Sequence, residues 1–99
     1  NDIDYLEKSE EQLTLAACTE NRLAGVISMN KNSRINFIWV NNSFRNKGIA
    51  KELILEGAKT LNLSKVTLGF TNNSSIQGFA NHIGFTQDKI AQYEMYYTL

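Results

Sequence analysis

The sequence predicts a mixed α/β domain, with a mostly antiparallel sheet and one central strand–helix–strand unit that makes a parallel pair. Three observations carry this prediction. Two apolar runs at 13–18 and 23–29 flank a short polar turn, the pattern of a β-hairpin. A stretch from 49 to 61 repeats its apolar residues with a helical period between two strand-like runs, and a helical crossover joins parallel strands. A tyrosine-rich run at 93–99 closes the chain, with the aromatic bias of a strand.

The elements follow in order. Residues 1–12 are polar and acidic without an apolar run and read as a frayed or short helical lead-in. In the first strand Leu13, Leu15 and Ala17 alternate onto one face, and Cys18 reads as a small core residue. Residues 20–22 turn the chain into the second strand, 23–29. Residues 31–34 turn it into the third, 35–40, which is rich in β-branched and aromatic side chains. Residues 41–47 are polar apart from Phe44. From Gly48 the period becomes helical: Ile49, Leu53, Gly57 and Leu61 form a stripe, with Ile54 and Ala58 beside it and Lys51, Glu52, Glu56 and Lys59 on the wet side. Asn62 is the expected stop. A fourth strand at 65–70 then lies parallel to the third. A shorter helix at 74–83 ends at Gly84, an expected left-handed cap, and strands at Phe85 and 93–99 finish the sheet. No proline, repeat or low-complexity tract marks a boundary, so residues 1–99 are expected to form a single domain.

Composition narrows the function. Ten basic and ten acidic side chains cancel, whereas a surface that coats nucleic acid needs an excess of Lys and Arg, so no nucleic-acid partner is expected. No apolar run reaches the ~18 residues of a membrane helix, and residues 1–12 lack a signal-peptide pattern, so no membrane partner is expected either. The single cysteine, Cys18, excludes an internal disulfide and a cysteine-based zinc cluster. No metal is expected, and the expected setting is cytoplasmic.

The chemistry concentrates where the third strand meets the long helix, at Val40-Asn41-Asn42-Ser43-Phe44-Arg45-Asn46-Lys47-Gly48-Ile49-Ala50. Small residues at Gly48 and Ala50 let an anion approach the free N–H groups of a helix start. The helix dipole adds about 0.3–1 kcal/mol, and charge-assisted hydrogen bonds from Arg45 and Lys47 about 1.5–3 kcal/mol each. The residues alone fit a diphosphate cradle, or an ordinary strand-to-helix loop with two solvated cations. A Walker loop is excluded because Lys47 precedes Gly48, and a dinucleotide fingerprint because only one glycine is present.

The run Val-x-x-x-Phe-Arg-x-x-Gly-x-Ala resembles the coenzyme A signature of the GNAT superfamily of N-acyltransferases, and Asn73 followed by Gly84-Phe85 resembles that family's Asn-led helix ending in Gly-Phe. The resemblance runs from Leu13 to the end of the chain. It implies a GNAT-like fold, acetyl-CoA as cosubstrate and transfer of an acetyl group to an amine of a small molecule or protein. It places backbone groups of Ile38, Trp39 and Val40 against the pantetheine amides. It places the diphosphate on the amides of Arg45, Asn46, Lys47, Gly48, Ile49 and Ala50, Asn73 against the pantetheine arm, and Phe79 beside the coenzyme. Trp39 reads equally as a lining of the acyl pocket or as core, with core the plainer reading.

The sequence departs from the family at two points. The tyrosine that often protonates the departing thiolate is replaced by Ala80, and neither 35–40 nor 65–70 carries an Asp or Glu to act as base. No catalytic residue is therefore assigned, and a non-catalytic acyl-CoA-binding module is the alternative function. Tyr93, Tyr96 and Tyr97 are candidates to replace the acid, with packing their plainer role; Glu94 is a remote candidate base. His82 reads as a general base, a coenzyme-phosphate contact or a solvent-side helix residue, with the last the plainer reading. The family's usual strand and helix pair before the hairpin do not fit within residues 1–12. The expectation is a minimal member, a piece of a longer chain, or a domain walled by a homodimer or a partner domain.

Overall fold

A computed structural model describes residues 2–69, 74–89 and 94–99. Among these residues seven strands, β1 (Asp2–Lys8), β2 (Gln12–Thr19), β3 (Arg22–Asn30), β4 (Arg34–Val40), β5 (Lys65–Gly69), β6 (Thr86–Gln87) and β7 (Glu94–Thr98), form one sheet in the order β1-β2-β3-β4-β5-β7-β6. Every neighbouring pair is antiparallel except β4 and β5, which are parallel. Helix α1 (Ile49–Leu61) links β4 to β5, and α2 (Ser74–Ile83) follows β5. This is the mixed, mostly antiparallel sheet with one parallel unit that the sequence predicts. Phe70, Asn73 and Tyr93 lie outside the described residues.

The core forms where α1 lies across one face of the sheet. Ile49, Leu53, Ile54 and Ala58 are buried along the helix, each fully buried Leu or Ile contributing about 1.5–3 kcal/mol. They meet Leu13, Leu15 and Ala17 of β2, Ile27 and Met29 of β3, Val66 of β5 and Met95 of β7. Asn62 ends α1 in the left-handed conformation, its N–H donating to the carbonyls of Ala58 and Lys59.

Three sequence expectations are corrected. Residues 2–8 are not a helical lead-in but the edge strand β1, paired with β2 from Asp2↔Cys18 to Lys8↔Leu13. Ile3 and Tyr5 face α1, where the Tyr5 hydroxyl donates to Glu56 Oε1 (3.0 Å) and lies 3.0 Å from Thr60 Oγ1. A bulge at Leu6 then breaks the alternation, so the segment never shows a period of two. The strand that precedes the hairpin is thus present, joined to β2 through residues 9–11 alone.

Cys18 is not core. It pairs with Asp2, on the face away from α1, is half-buried, and its Sγ lies 4.0 Å from Asp4 Oδ2.

Trp39 is not core either; it is 41% exposed. The register passes from Ser28↔Phe37 to Met29↔Ile35, leaving Asn36 as an extra residue in β4. This bulge flips the alternation. Ile35, Ile38 and Val40 turn toward α1, while Phe37 (53% exposed) and Trp39 turn to the opposite face.

Candidate functional site

Among the described residues, strands β4 and β5 pair only at Arg34↔Thr67 and Ile35↔Leu68. Beyond Ile35 the two strands part, and among the described residues nothing pairs with the side of β4 facing β5 over residues 36–40. A cavity of about 530 Å³ occupies this gap, lined by Ile38, Trp39 and Val40 along β4 and closed at its tip by Ile35, Leu68 and Gly69. Phe37 and Trp39 reach it from one face of the sheet and Ile38 and Val40 from the other, so the gap passes through the plane of the sheet.

At the other end of β4 the chain makes a single 3-10 turn, Asn42–Phe44, and then the loop 45–48 into α1. Asn41 fixes this junction three ways. Its N–H donates to the Ala24 carbonyl (2.8 Å), its side-chain amide donates to the Leu23 carbonyl (3.1 Å), and its Oδ1 accepts from the Ser43 N–H (2.9 Å). Phe44 is buried beneath the loop, with the Arg22 guanidinium 5.1 Å from its ring centroid.

Asn46 and Gly48 both adopt left-handed backbone, with φ of 63° and 76°. Gly48 is the N-cap, and no side chain caps the helix. The Glu52 N–H makes the first helical bond, to the Gly48 carbonyl (3.0 Å), so the amides of Ile49, Ala50 and Lys51 precede the ladder and point out of the helix start. A Cβ added at Gly48 would meet nothing within 4 Å. Glycine is therefore favoured here by its positive φ, not by crowding.

A second cavity, of about 300 Å³, opens at this helix start. Arg45, Lys51 and His82 line it, and no carboxylate does among the described residues. Arg45, Lys47 and His82 are all exposed, the last as the sequence implied. Val40, Arg45 and Phe79 line both cavities, which makes them one cleft running from the helix start to the tip between β4 and β5. Chemically, one end offers free amides and cations to an anion, and the other an extended strand edge to amide groups.

Of the residues singled out from sequence, Ile38, Trp39, Val40, Arg45, Asn46, Gly48, Ile49, Ala50 and Phe79 line this cleft. Lys47 stands exposed in the loop without lining either cavity, and Asn73 lies outside the described residues. Sequence reasoning missed Lys51 and Phe37. Lys51 reads as an ordinary wet-face lysine, and only its place in the first helical turn hints at a role. Phe37 stands two residues before Trp39 in the strand. Ala80, the position of the expected acid, is completely buried in the core, although Phe79 and Ile83 on the same helix reach the cleft. Tyr97 packs on Phe85 (ring centroids 5.6 Å), and Tyr96 lies under Lys65 (5.6 Å).

Comparison with known proteins agrees with this fold. The chain resembles a PaiA N-acetyltransferase from Thermoplasma acidophilum solved with coenzyme A (TM-score 0.70, 21% identity, 90% of this chain and 62% of that one). It also resembles AAC(6')-Iy with a bisubstrate analogue (TM-score 0.67, 16% identity, 86% and 69%). A third likeness is the aminoglycoside 6'-N-acetyltransferase AAC(6')-Ig from Acinetobacter haemolyticus (TM-score 0.68, 17% identity, 86% and 70%). At these identities the likeness concerns the fold, and the chain spans under two thirds of the Thermoplasma protein. A comparison with curated proteins finds no match. A family model described as an acetyltransferase (GNAT) domain matches residues 3–96, nearly the whole chain, and the chain therefore belongs to the GNAT acetyltransferase family.

Proposed function

We propose that the chain is an acetyl-CoA-dependent N-acetyltransferase domain. The observation that carries this reading is the parting of β4 from β5 beyond Ile35, which opens one cleft onto an uncapped helix start. The diphosphate of acetyl-CoA is assigned to the amides at the start of α1, with Arg45 and Lys51 as counter-charges. The pantetheine arm then lies along residues 36–40, its amides adding to the free edge of β4 as an extra strand would. Five extended residues span about 16 Å, which carries the thioester to the tip at Ile35, Leu68 and Gly69. There the acceptor amine attacks the thioester carbonyl, the nitrogen–carbon bond forms and the sulfur departs. Relatives of the same fold support the reading, one solved with coenzyme A and another with a bisubstrate analogue. Positioning alone is worth about 7–11 kcal/mol of barrier, so the domain can act without the tyrosine that Ala80 replaces.

The buried Ala80 favours one alternative, a module that binds acyl-CoA without transferring the acyl group. Thiol release from acetyl-CoA, measured with and without primary amines, separates the two. Amine-dependent release supports the transferase. Saturable coenzyme binding without any release supports the module, and absence of binding contradicts both.

A further inference from the structure

An ion pair on the sheet face opposite α1 stands beside Gly69 at the tip of the cleft, although neither of its residues lines the cavity itself. Gly69, which closes the tip, is registered against Glu94. The next pair, Leu68↔Met95, is buried in the core, so alternation turns the Glu94 side chain to the opposite face. Arg34, registered with Thr67, comes to the same face. Its Nη2 donates to Glu94 Oε1 at 2.5 Å and lies 3.0 Å from where a Cβ on Gly69 would stand. The guanidinium thus lies over the one tip residue that has no side chain, and the Glu94 carboxylate is bonded to it from the neighbouring strand. The pair is open to solvent, with the Arg34 and Glu94 side chains 44% and 29% exposed. Among the described residues Arg34 engages one oxygen, leaving Oε2 as a second acceptor. The other described carboxylates lie on β1, in the loops at 9–11 and 20–21, on α1, or at Asp88 beyond Glu94 on the far side of β7. None of them adjoins the gap between β4 and β5.

From this placement we infer that Glu94, held in place by Arg34, is the catalytic base that takes the proton from the acceptor amine. The inference rests on the acetyl-transfer reading and deepens it. As the nitrogen–carbon bond forms and the carbon–sulfur bond breaks, the electron pair leaves with sulfur. The proton lost by nitrogen passes to Glu94 Oε2 and returns through solvent to the thiolate, so charge balances and the carboxylate is regenerated. One carboxylate then supplies the acid–base chemistry that the strands flanking the cleft and Ala80 do not.

The test measures transfer from acetyl-CoA to spermidine, phenethylamine and a lysine-containing peptide, with coenzyme A affinity measured alongside. Glu94→Gln should lower kcat by about a hundredfold or more, the range of general-base catalysis, with coenzyme affinity unchanged. Glu94→Ala should fall similarly and recover as formate is added, because a free carboxylate can take the vacated position. Loss of a merely structural ion pair is not restored by formate. Transfer by Glu94→Gln at the wild-type rate, or no recovery with formate, overturns the assignment and leaves the coenzyme cleft standing. A wild-type protein that binds coenzyme A but acetylates none of these amines also overturns it. Failure to bind coenzyme A contradicts the transferase reading itself.

Discussion

Gly25→Ala should loosen the contact that sets the start of α1 on the sheet. A Cβ at position 25 would lie 2.9 Å from Ile49 Cγ2, 2.9 Å from the Trp39 carbonyl oxygen and 3.2 Å from Leu53 Cδ1. The two side-chain ends can rotate away. The Trp39 oxygen belongs to the neighbouring strand's backbone and can retreat only by widening the β3–β4 pairing at Gly25↔Val40. Overpacking of this kind costs about 1–3 kcal/mol, and the lower unfolded-state entropy of alanine offsets about 0.4–1 kcal/mol. A net loss near 1–2 kcal/mol lowers Tm by roughly 5–15 °C in a domain of this size. Because Ile49 opens α1 and lines the cleft, coenzyme affinity should fall with stability. Thermal melts followed by circular dichroism read the first effect and calorimetry the second. Gly78→Ala is the control, since a Cβ there meets nothing within 4 Å on α2, and it should melt at or above the wild-type temperature. A Gly25→Ala protein that melts with wild type would refute the close approach of helix and sheet.

Other substitutions follow from the same geometry. Gly48→Val forces an L-residue into left-handed backbone at a cost of about 1–2 kcal/mol, whereas asparagine tolerates that region. Gly48→Asn should therefore melt closer to wild type than Gly48→Val, and equal melting temperatures would contradict the strain argument. Ala80→Tyr places a large side chain where the core leaves no exposed surface. It should lower stability by about 1–3 kcal/mol or more, and a stable variant with faster acetyl transfer would show that position 80 faces the cleft instead. Arg45→Ala should weaken coenzyme A by about tenfold or more, the worth of a charge-assisted hydrogen bond, and leave binding of a phosphate-free pantetheine unchanged. Equal losses for both ligands would mean that Arg45 only shapes the loop.

Legibility in the sequence tracked how local each signal is. Helix α1 follows from the spacing of Ile49, Leu53, Ile54 and Ala58, and its stop from Asn62; α2 and its Gly84 cap were as plain. The Arg45–Ala50 junction was legible because a helix start with small and basic residues is a feature of consecutive residues. Strand β1 was not, because nearly every side chain in it is exposed and the Leu6 bulge breaks its alternation. The reading of Trp39 as core failed for a related reason. The bulge at Asn36 has no glycine to announce it, yet it decides which face Phe37 and Trp39 take. The parting of β4 from β5 and the pairing of Arg34 with Glu94, sixty residues apart, arise only when distant strands meet. No local pattern encodes them.

In the proposed binding mode coenzyme A lies in a single cleft from the start of α1 to the gap between β4 and β5. A titration of ¹⁵N-labelled protein with coenzyme A, followed through its backbone amide resonances, tests it most directly. The account predicts saturable shifts of the amides at 36–40 and 45–51, with the amides of β1 unmoved. Absence of shifts, or shifts confined to the surface around Asp2, Cys18 and Asn21, would contradict it.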